Sequence, residues 1–260
     1  LHFTDRRQRQ MCIRDSLVTG AGSGIGEEIA TTLYEAGANL ALAARRRDKL
    51  EETKSDIKSK EHKVQTFSLD ITKETSINEC LENIYSEFPS IDILVNNAGM
   101  TVVGTLDSNN ENDWNDVINT NLRGPWALSK FWLNSRLKKS NKGGVILNVS
   151  SITGEAVQKG NGIYAISKAA LSHMTRQMAL EWAKYDLRVN AIAPGYFKTD
   201  LNSDFLESEI SDPMIKRIPF RRPGNLSELQ GPILLLVSDA GSYMTGSTLI
   251  VDGGHLVRDL

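Results

Sequence analysis

The sequence predicts an α/β protein: a single doubly wound, mostly parallel sheet with helices packed on both faces. Three observations predict it. Short apolar runs alternate with longer helix-like segments along nearly the whole chain, the rhythm of successive βαβ units. A glycine-rich turn, TGAGSGIG at residues 19–26, stands at the first strand-to-helix junction, and ligands of doubly wound sheets sit at the carboxyl ends of the strands. No internal repeat or low-complexity linker divides the 260 residues, so residues 13–260 are expected to form one domain.

Taken in order, the first strand is SLVTG. In the preceding IRDSLVTG, residues Arg14, Asp15 and Ser16 interrupt the continuous apolar run that a buried parallel strand favours. Residues 1–12, LHFTDRRQRQMC, are expected to lie outside the fold as a non-native-looking or disordered segment. The turn feeds a helix over 26–36; NLALAA is the second strand, followed by a helix over 49–59; KVQTFSL and IDILVNN are the third and fourth strands, with a helix over 74–88 between them. One long helix is expected over 113–137, then the strand GVILNVS, a helix opened by Tyr164, the strand LRVNAIAP, a helical segment over 227–238 and a short last strand TLIVD. Residues 196–222 break the rhythm. They are charged and end before Pro223, and are expected to make one or two short helices on an excursion from the sheet. Such excursions commonly act as lids; the alternative is a solvated insertion without function.

Bulk properties exclude several classes. Thirty basic residues against 32 acidic ones give a formal charge of −2, so nothing draws the whole chain toward nucleic acid or an anionic membrane. Apolar runs fall well short of the ~20 residues that span a bilayer. Cys12 and Cys80 belong to no CxxC or Cys/His cluster and the four histidines are scattered, so no disulfide framework and no metal site is expected. A reducing, cytoplasmic setting fits.

The glycine turn suits a pyrophosphate. Without Cβ atoms at Gly20, Gly22, Gly24 and Gly26, backbone N–H groups along Ser23–Gly26, Ile25 included, can approach phosphate oxygens, and the helix N-terminus adds its dipole. That makes the fold Rossmann-type. In an NAD-binding chain an Asp or Glu closes the second strand and binds the ribose 2′-hydroxyl. Here the strand ends at Ala44 and is followed by Arg45, Arg46 and Arg47. A guanidinium at position 45 can clamp a 2′-phosphate bidentately, so NADP(H) is favoured over NAD(H), with Arg46 and Arg47 read as solvated helix-start residues.

TGAGSGIG, NNAG (96–99), Asn121 in NTNLRG, NVSS ending at Ser151, YAISK (164–168), PGYFKT (194–199) and VDGG (251–254) occur in that order. Together they resemble the short-chain dehydrogenase/reductase family over nearly all of the chain from Leu17 onward. The resemblance implies that Ser151, Tyr164 and Lys168 are catalytic, with Asn121 completing a tetrad. It implies that Asp70 and Ile71 flank an adenine and that Asn97, Ala98 and Gly99 line a ribose. It also implies that Pro194, Gly195, Phe197 and Thr199 hold a carboxamide. By the same analogy a homotetramer or homodimer is expected, built on the long helices and on GSTLIVDGG.

The residue types suit carbonyl reduction. Hydride transfer to a carbonyl leaves an alkoxide that needs a proton, which a nicotinamide cannot supply. A tyrosine, with an ordinary pKa near ~10, is a poor base at neutrality. A lysine four residues along the same helix face is expected to acidify it. Ser151 would donate to the substrate oxygen, and the Asn121 amide suits a water relay to Lys168. The expected partner is a small carbonyl or alcohol, a neutral sugar, polyol or ketone being preferred. The acidic Asp200, Asp204, Glu207, Glu209 and Asp212 of the excursion disfavour phosphorylated or carrier-bound substrates. A 3-oxoacyl thioester reductase and a non-catalytic nucleotide sensor of the same fold are the alternatives.

Overall fold

The computed structural model describes residues 15–57, 61–199, 203–206, 208 and 211–257. Seven parallel strands form one sheet, β1 (Ser16–Thr19), β2 (Leu40–Ala44), β3 (Val64–Ser68), β4 (Ile93–Asn96), β5 (Gly144–Val149), β6 (Leu187–Pro194) and β7 (Thr248–Val251), in the order β3-β2-β1-β4-β5-β6-β7. The order reverses between β1 and β4, whose carboxyl ends therefore splay their following loops apart and open a crevice.

The central strands bury apolar residues on both faces of the sheet, alternate residues serving opposite layers. Leu17, Ala41, Leu94 and Ile146 pack with Ile77 and Ile84 of helix α3 (Glu74–Glu87), Leu128 and Trp132 of α5 (Gly124–Lys138) and Met178 of α6 (Gly162–Trp182). Their neighbours Val18, Leu42, Val95 and Leu147 pack with Ile29 and Leu33 of α1 (Gly24–Glu35), Leu50 of α2 (Arg47–Asp56) and Ile233 and Leu236 of α9 (Gln230–Val237). Each such fully buried aliphatic side chain contributes about 1.5–3 kcal/mol.

Asp15 and Ser16, at the start of the first strand, are accommodated by hydrogen bonding, whereas Arg14 lies outside the described residues. Ser16 is wholly buried within β1 and its N–H donates to the Asn39 carbonyl at 2.9 Å. The Asp15 carbonyl accepts from Asp92 N–H at 2.8 Å, and its carboxylate accepts from Asn39 Nδ2 at 2.8 Å. Residues 1–12 lie outside the described residues, as do Asp200, Glu207 and Glu209 of the excursion. Within the excursion, α7 (Ser203–Leu206) and α8 (Asp212–Ile215) are two short helices.

The long helix expected over 113–137 is not continuous. It comprises α4 (Glu111–Ile118), a π-helical turn (Asn119–Arg123) and then α5. Pro125 has no N–H to offer the Asn121 carbonyl four residues earlier, as an unbroken α-helix requires. The Gly124 N–H instead bonds back five residues to the Asn119 carbonyl. A Cβ at Gly124 would lie 2.8 Å from Ile71, so the turn also seats the helix tightly against the loop after β3.

Candidate active site

The glycine turn is strapped to the loop after β4. Thr19 Oγ1 donates to the Val95 carbonyl at 3.0 Å and accepts from the N–H groups of Asn97 and Ala98 at 3.0 and 3.1 Å. Asn97 Nδ2 donates to the Thr19 and Gly20 carbonyls at 3.0 and 3.1 Å. Gly20 adopts φ +64° and a Cβ there would stand 2.9 Å from Ala98 Cα, so the close approach of the two loops requires glycine. At the start of α1, Ser23 makes no side-chain cap, which leaves first-turn N–H groups available to a ligand.

One cavity of about 940 Å³ runs from this turn past the end of β2 and on to α6. Every residue singled out from the sequence lines it except Asn121. At one end Arg45 is exposed beside Ala44, joined by Arg46 and Lys49. The sequence reading treated Arg46 as solvated and overlooked Lys49, although both follow Arg45 within one helical turn. Asp70 faces the same end; its carboxylate accepts from Thr72 Oγ1 at 2.6 Å and Thr72 N–H at 3.1 Å, and these bonds hold its pKa below the usual range.

At the other end, β5 delivers Ser151 and α6 delivers Tyr164 and Lys168. Lys168 Nζ lies 5.5 Å from the Tyr164 ring centroid and donates to the Val149 carbonyl at 2.8 Å. Burial pushes its pKa down to about 8. Tyr164 departs from the sequence-based expectation. Burial raises its pKa above the ordinary value, a hydrogen bond with Ser151 offsets part of that rise, and the nearby Tyr196 phenol adds to it. Desolvation is the largest of these influences. Ser151 Oγ also accepts from Thr153 Oγ1 at 3.0 Å.

Asn121 is buried behind this wall. Its Oδ1 accepts from Met100 N–H at 2.8 Å, and its Nδ2 donates to the Met100 carbonyl at 2.8 Å and to Ser167 Oγ at 3.0 Å. The amide thus clamps the loop after β4 onto α6.

Thr101, Gln158, Asn161 and Tyr196 are among the further lining residues that the sequence did not single out. Gln158 and Asn161 belong to the polar run QKGNG just ahead of Tyr164, and Tyr196 lies within PGYFKT. Among the described residues no group of three or more His, Cys, Asp and Glu could hold a metal ion, and no helix is long and apolar enough to cross a membrane.

A family model described as Enoyl-(Acyl carrier protein) reductase matches residues 20–255. The chain is 35% identical over 242 residues to 3-oxoacyl-[acyl-carrier-protein] reductase FabG of Staphylococcus epidermidis, covering 93% of this chain and 98% of that protein. Among solved structures it resembles a short-chain type dehydrogenase/reductase from Mycobacterium marinum, with TM-score 0.87, 32% identity and coverage of 94% and 96% of the two chains. It also resembles a gluconate 5-dehydrogenase from Burkholderia cenocepacia in complex with NADP and tartrate, with TM-score 0.88, 31% identity and coverage of 95% and 96%.

Proposed function

The chain belongs to the short-chain dehydrogenase/reductase family of NAD(P)-dependent oxidoreductases, and on that premise we propose that it interconverts a carbonyl and a secondary alcohol with NADP(H), Tyr164 serving as general acid and base. The residues present fit a dinucleotide. The uncapped start of α1 behind glycines at positive φ makes a pyrophosphate cradle. Arg45, with Arg46 and Lys49 beside it and no carboxylate at position 44, suits a 2′-phosphate. Asp70 and Ile71 would border the adenine, Asn97 to Gly99 the ribose, and Pro194, Gly195, Phe197 and Thr199 the carboxamide. When bound, the nicotinamide supplies or accepts the hydride.

The chain's own groups handle the proton. A phenol whose pKa lies above its ordinary value is protonated at neutrality, the form needed to donate to a carbonyl oxygen as negative charge develops. The Ser151 hydroxyl, turning its one proton from that phenol to the substrate, would donate to the same oxygen in a bond that strengthens as the charge grows. Lys168 carries its positive charge below pH ~8 and favours the phenolate that remains once the proton has left. In the direction of alcohol oxidation the same phenolate accepts the proton.

The observation that carries this reading is the convergence of Ser151, Tyr164 and Lys168 on one cavity with the glycine turn. Its test is oxidation of NADPH and NADH by the full chain on a panel of ketones, sugars and acetoacetyl-coenzyme A. Consumption of NADPH with one class of carbonyl is expected, and none with any class overturns it. A small neutral sugar, polyol or ketone is the preferred substrate. A 3-oxoacyl thioester is the second reading, supported by the identity to FabG.

Exposed apolar side chains support a homo-oligomer with two contact faces. Trp126 (41%) and Leu180 (78%) lie on α5 and α6, and Tyr243, Ile250 and Val257 lie near the last strand. A cytoplasmic setting accords with the free, buried Cys80.

A further inference from the structure

The substrate end of the cavity is ringed by two hydrogen-bonded pairs of uncharged side chains. On one side Gln158 Nε2 donates to the Tyr196 hydroxyl at 2.9 Å. On the other Thr101 Oγ1 donates to Asn161 Oδ1 at 2.7 Å. All four residues line the same cavity as Ser151 and Tyr164.

Both pairs are held in place by their surroundings. Tyr196 rests against the His255 ring, with centroids 5.6 Å apart, and its carbonyl accepts from Gly224 N–H at 2.8 Å. Asn161 occupies the N-cap position of α6, where an asparagine side chain ordinarily accepts from the first-turn N–H groups and contributes about 1 kcal/mol. Here it makes no such cap and its oxygen turns to Thr101. The Gly104 N–H donates to the Gly160 carbonyl at 3.0 Å, tying the loop that bears Thr101 to the loop that bears Asn161. A helix that forgoes its cap to hold a polar pair at the rim of a cavity has that pair positioned for something else.

The hydrogen-bond inventory tells what that is. With Gln158 donating to it, the Tyr196 oxygen still has its own proton to give; Gln158 Oε1 still accepts. With Thr101 donating to its oxygen, Asn161 still has its NH₂ to give; Thr101 Oγ1 still accepts. Each pair thus offers one donor and one acceptor, the complement of a hydroxyl. Among the described residues, the charged side chains that line the cavity are Arg45, Arg46, Lys49, Asp70 and Lys168. The first four belong to the nucleotide end and Lys168 Nζ is held by the Val149 carbonyl beside Tyr164, so the two pairs add no cation of their own to neutralise a carboxylate or phosphate. A plain hydrocarbon would leave the rim's polar groups dehydrated and unpaired.

Resting on the reaction proposed above, we propose that the Gln158–Tyr196 and Thr101–Asn161 pairs form a subsite selecting substrates that bear an uncharged hydroxyl on the carbon next to the reacting one. The reaction is then the interconversion of an α-hydroxy ketone and a vicinal diol. The hydride passes between the cofactor and the carbinol carbon, the proton passes through Tyr164, and the neighbouring hydroxyl is unchanged.

The test compares 2-hydroxycyclohexanone with cyclohexanone, which differ by that hydroxyl alone, using NADPH and the full chain. One or two hydrogen bonds at a partly exposed rim predict a kcat/KM preference of about ten- to a hundredfold for the hydroxy ketone. Tyr196→Phe, Asn161→Ala and Gln158→Leu should each collapse that ratio toward one, whereas a merely structural defect lowers both substrates together. A readout without turnover uses Tyr164→Phe protein saturated with NADP⁺ and titrated calorimetrically, where trans-1,2-cyclohexanediol should bind more tightly than cyclohexanol. Equal kcat/KM for the two ketones, or variants that keep the ratio, overturns the subsite while leaving the carbonyl reductase reading intact. No oxidation of NADPH by any carbonyl overturns both.

Discussion

Lys168 stands 5.5 Å from the centre of the Tyr164 ring and donates to the Val149 carbonyl at 2.8 Å, so the ammonium beside the phenol is anchored to the sheet. Burial brings that ammonium's pKa down to about 8. Carbonyl reduction needs Tyr164 protonated and Lys168 charged, so kcat for reduction should hold at neutrality and fall as pH rises through about 8. A pH–rate profile in the reductive direction checks this; a flat profile to pH 10 contradicts it. Lys168→Met should remove that limb.

Replacing Tyr164 with phenylalanine removes the proton donor and little volume. The expected loss in kcat is about a hundred- to ten-thousandfold, with dinucleotide affinity kept, as measured by fluorescence titration. A variant retaining more than a tenth of the rate would point to another acid.

Arg45 stands exposed at the end of β2 with Ala44 beside it. Arg45→Ala should weaken NADPH by about tenfold or more and leave NADH nearly unchanged, one charge-assisted clamp being at stake. Ala44→Asp adds a carboxylate that repels a 2′-phosphate and should push the ratio further toward NADH. Kd values for both dinucleotides decide it.

Gly20 is held at φ +64° with Ala98 Cα 2.9 Å from where a Cβ would be. Gly20→Ala combines left-handed strain of about 1–2 kcal/mol with a backbone clash, so a lower Tm and loss of dinucleotide binding are expected together. Thermal melts with and without NADPH separate the two effects.

Trp132 is wholly buried between α5 and the sheet and its Nε1–H donates to the Ile91 carbonyl at 3.1 Å. Trp132→Ala should cost about 3–5 kcal/mol, measured by urea unfolding, at a site remote from the chemistry.

The sheet and its helices were legible because their signal is local. LVTG, NLALAA and GVILNV are apolar enough to need cover on both sides, and the glycine turn identifies the crevice. The convergence of Ser151, Tyr164 and Lys168 on one cavity was legible because Tyr164 and Lys168 share one helix face and Ser151 follows a strand. What escaped depends on sums that a string of letters does not carry. The direction of the Tyr164 shift is a contest between burial and neighbouring groups, and only packing decides it. The commitment of the Asn121 amide to Met100 joins residues 21 apart. The rim pairs are further apart still, Thr101 with Asn161 across 60 positions and Gln158 with Tyr196 across 38.

The π-helical turn at 119–123 is one residue more than a regular helix would use. Deleting a single residue there would rotate everything ahead of it by about 100° relative to α5 and would swing Asn121 off Met100. That one added residue sets the angle at which the Asn121 amide meets the loop bearing Met100.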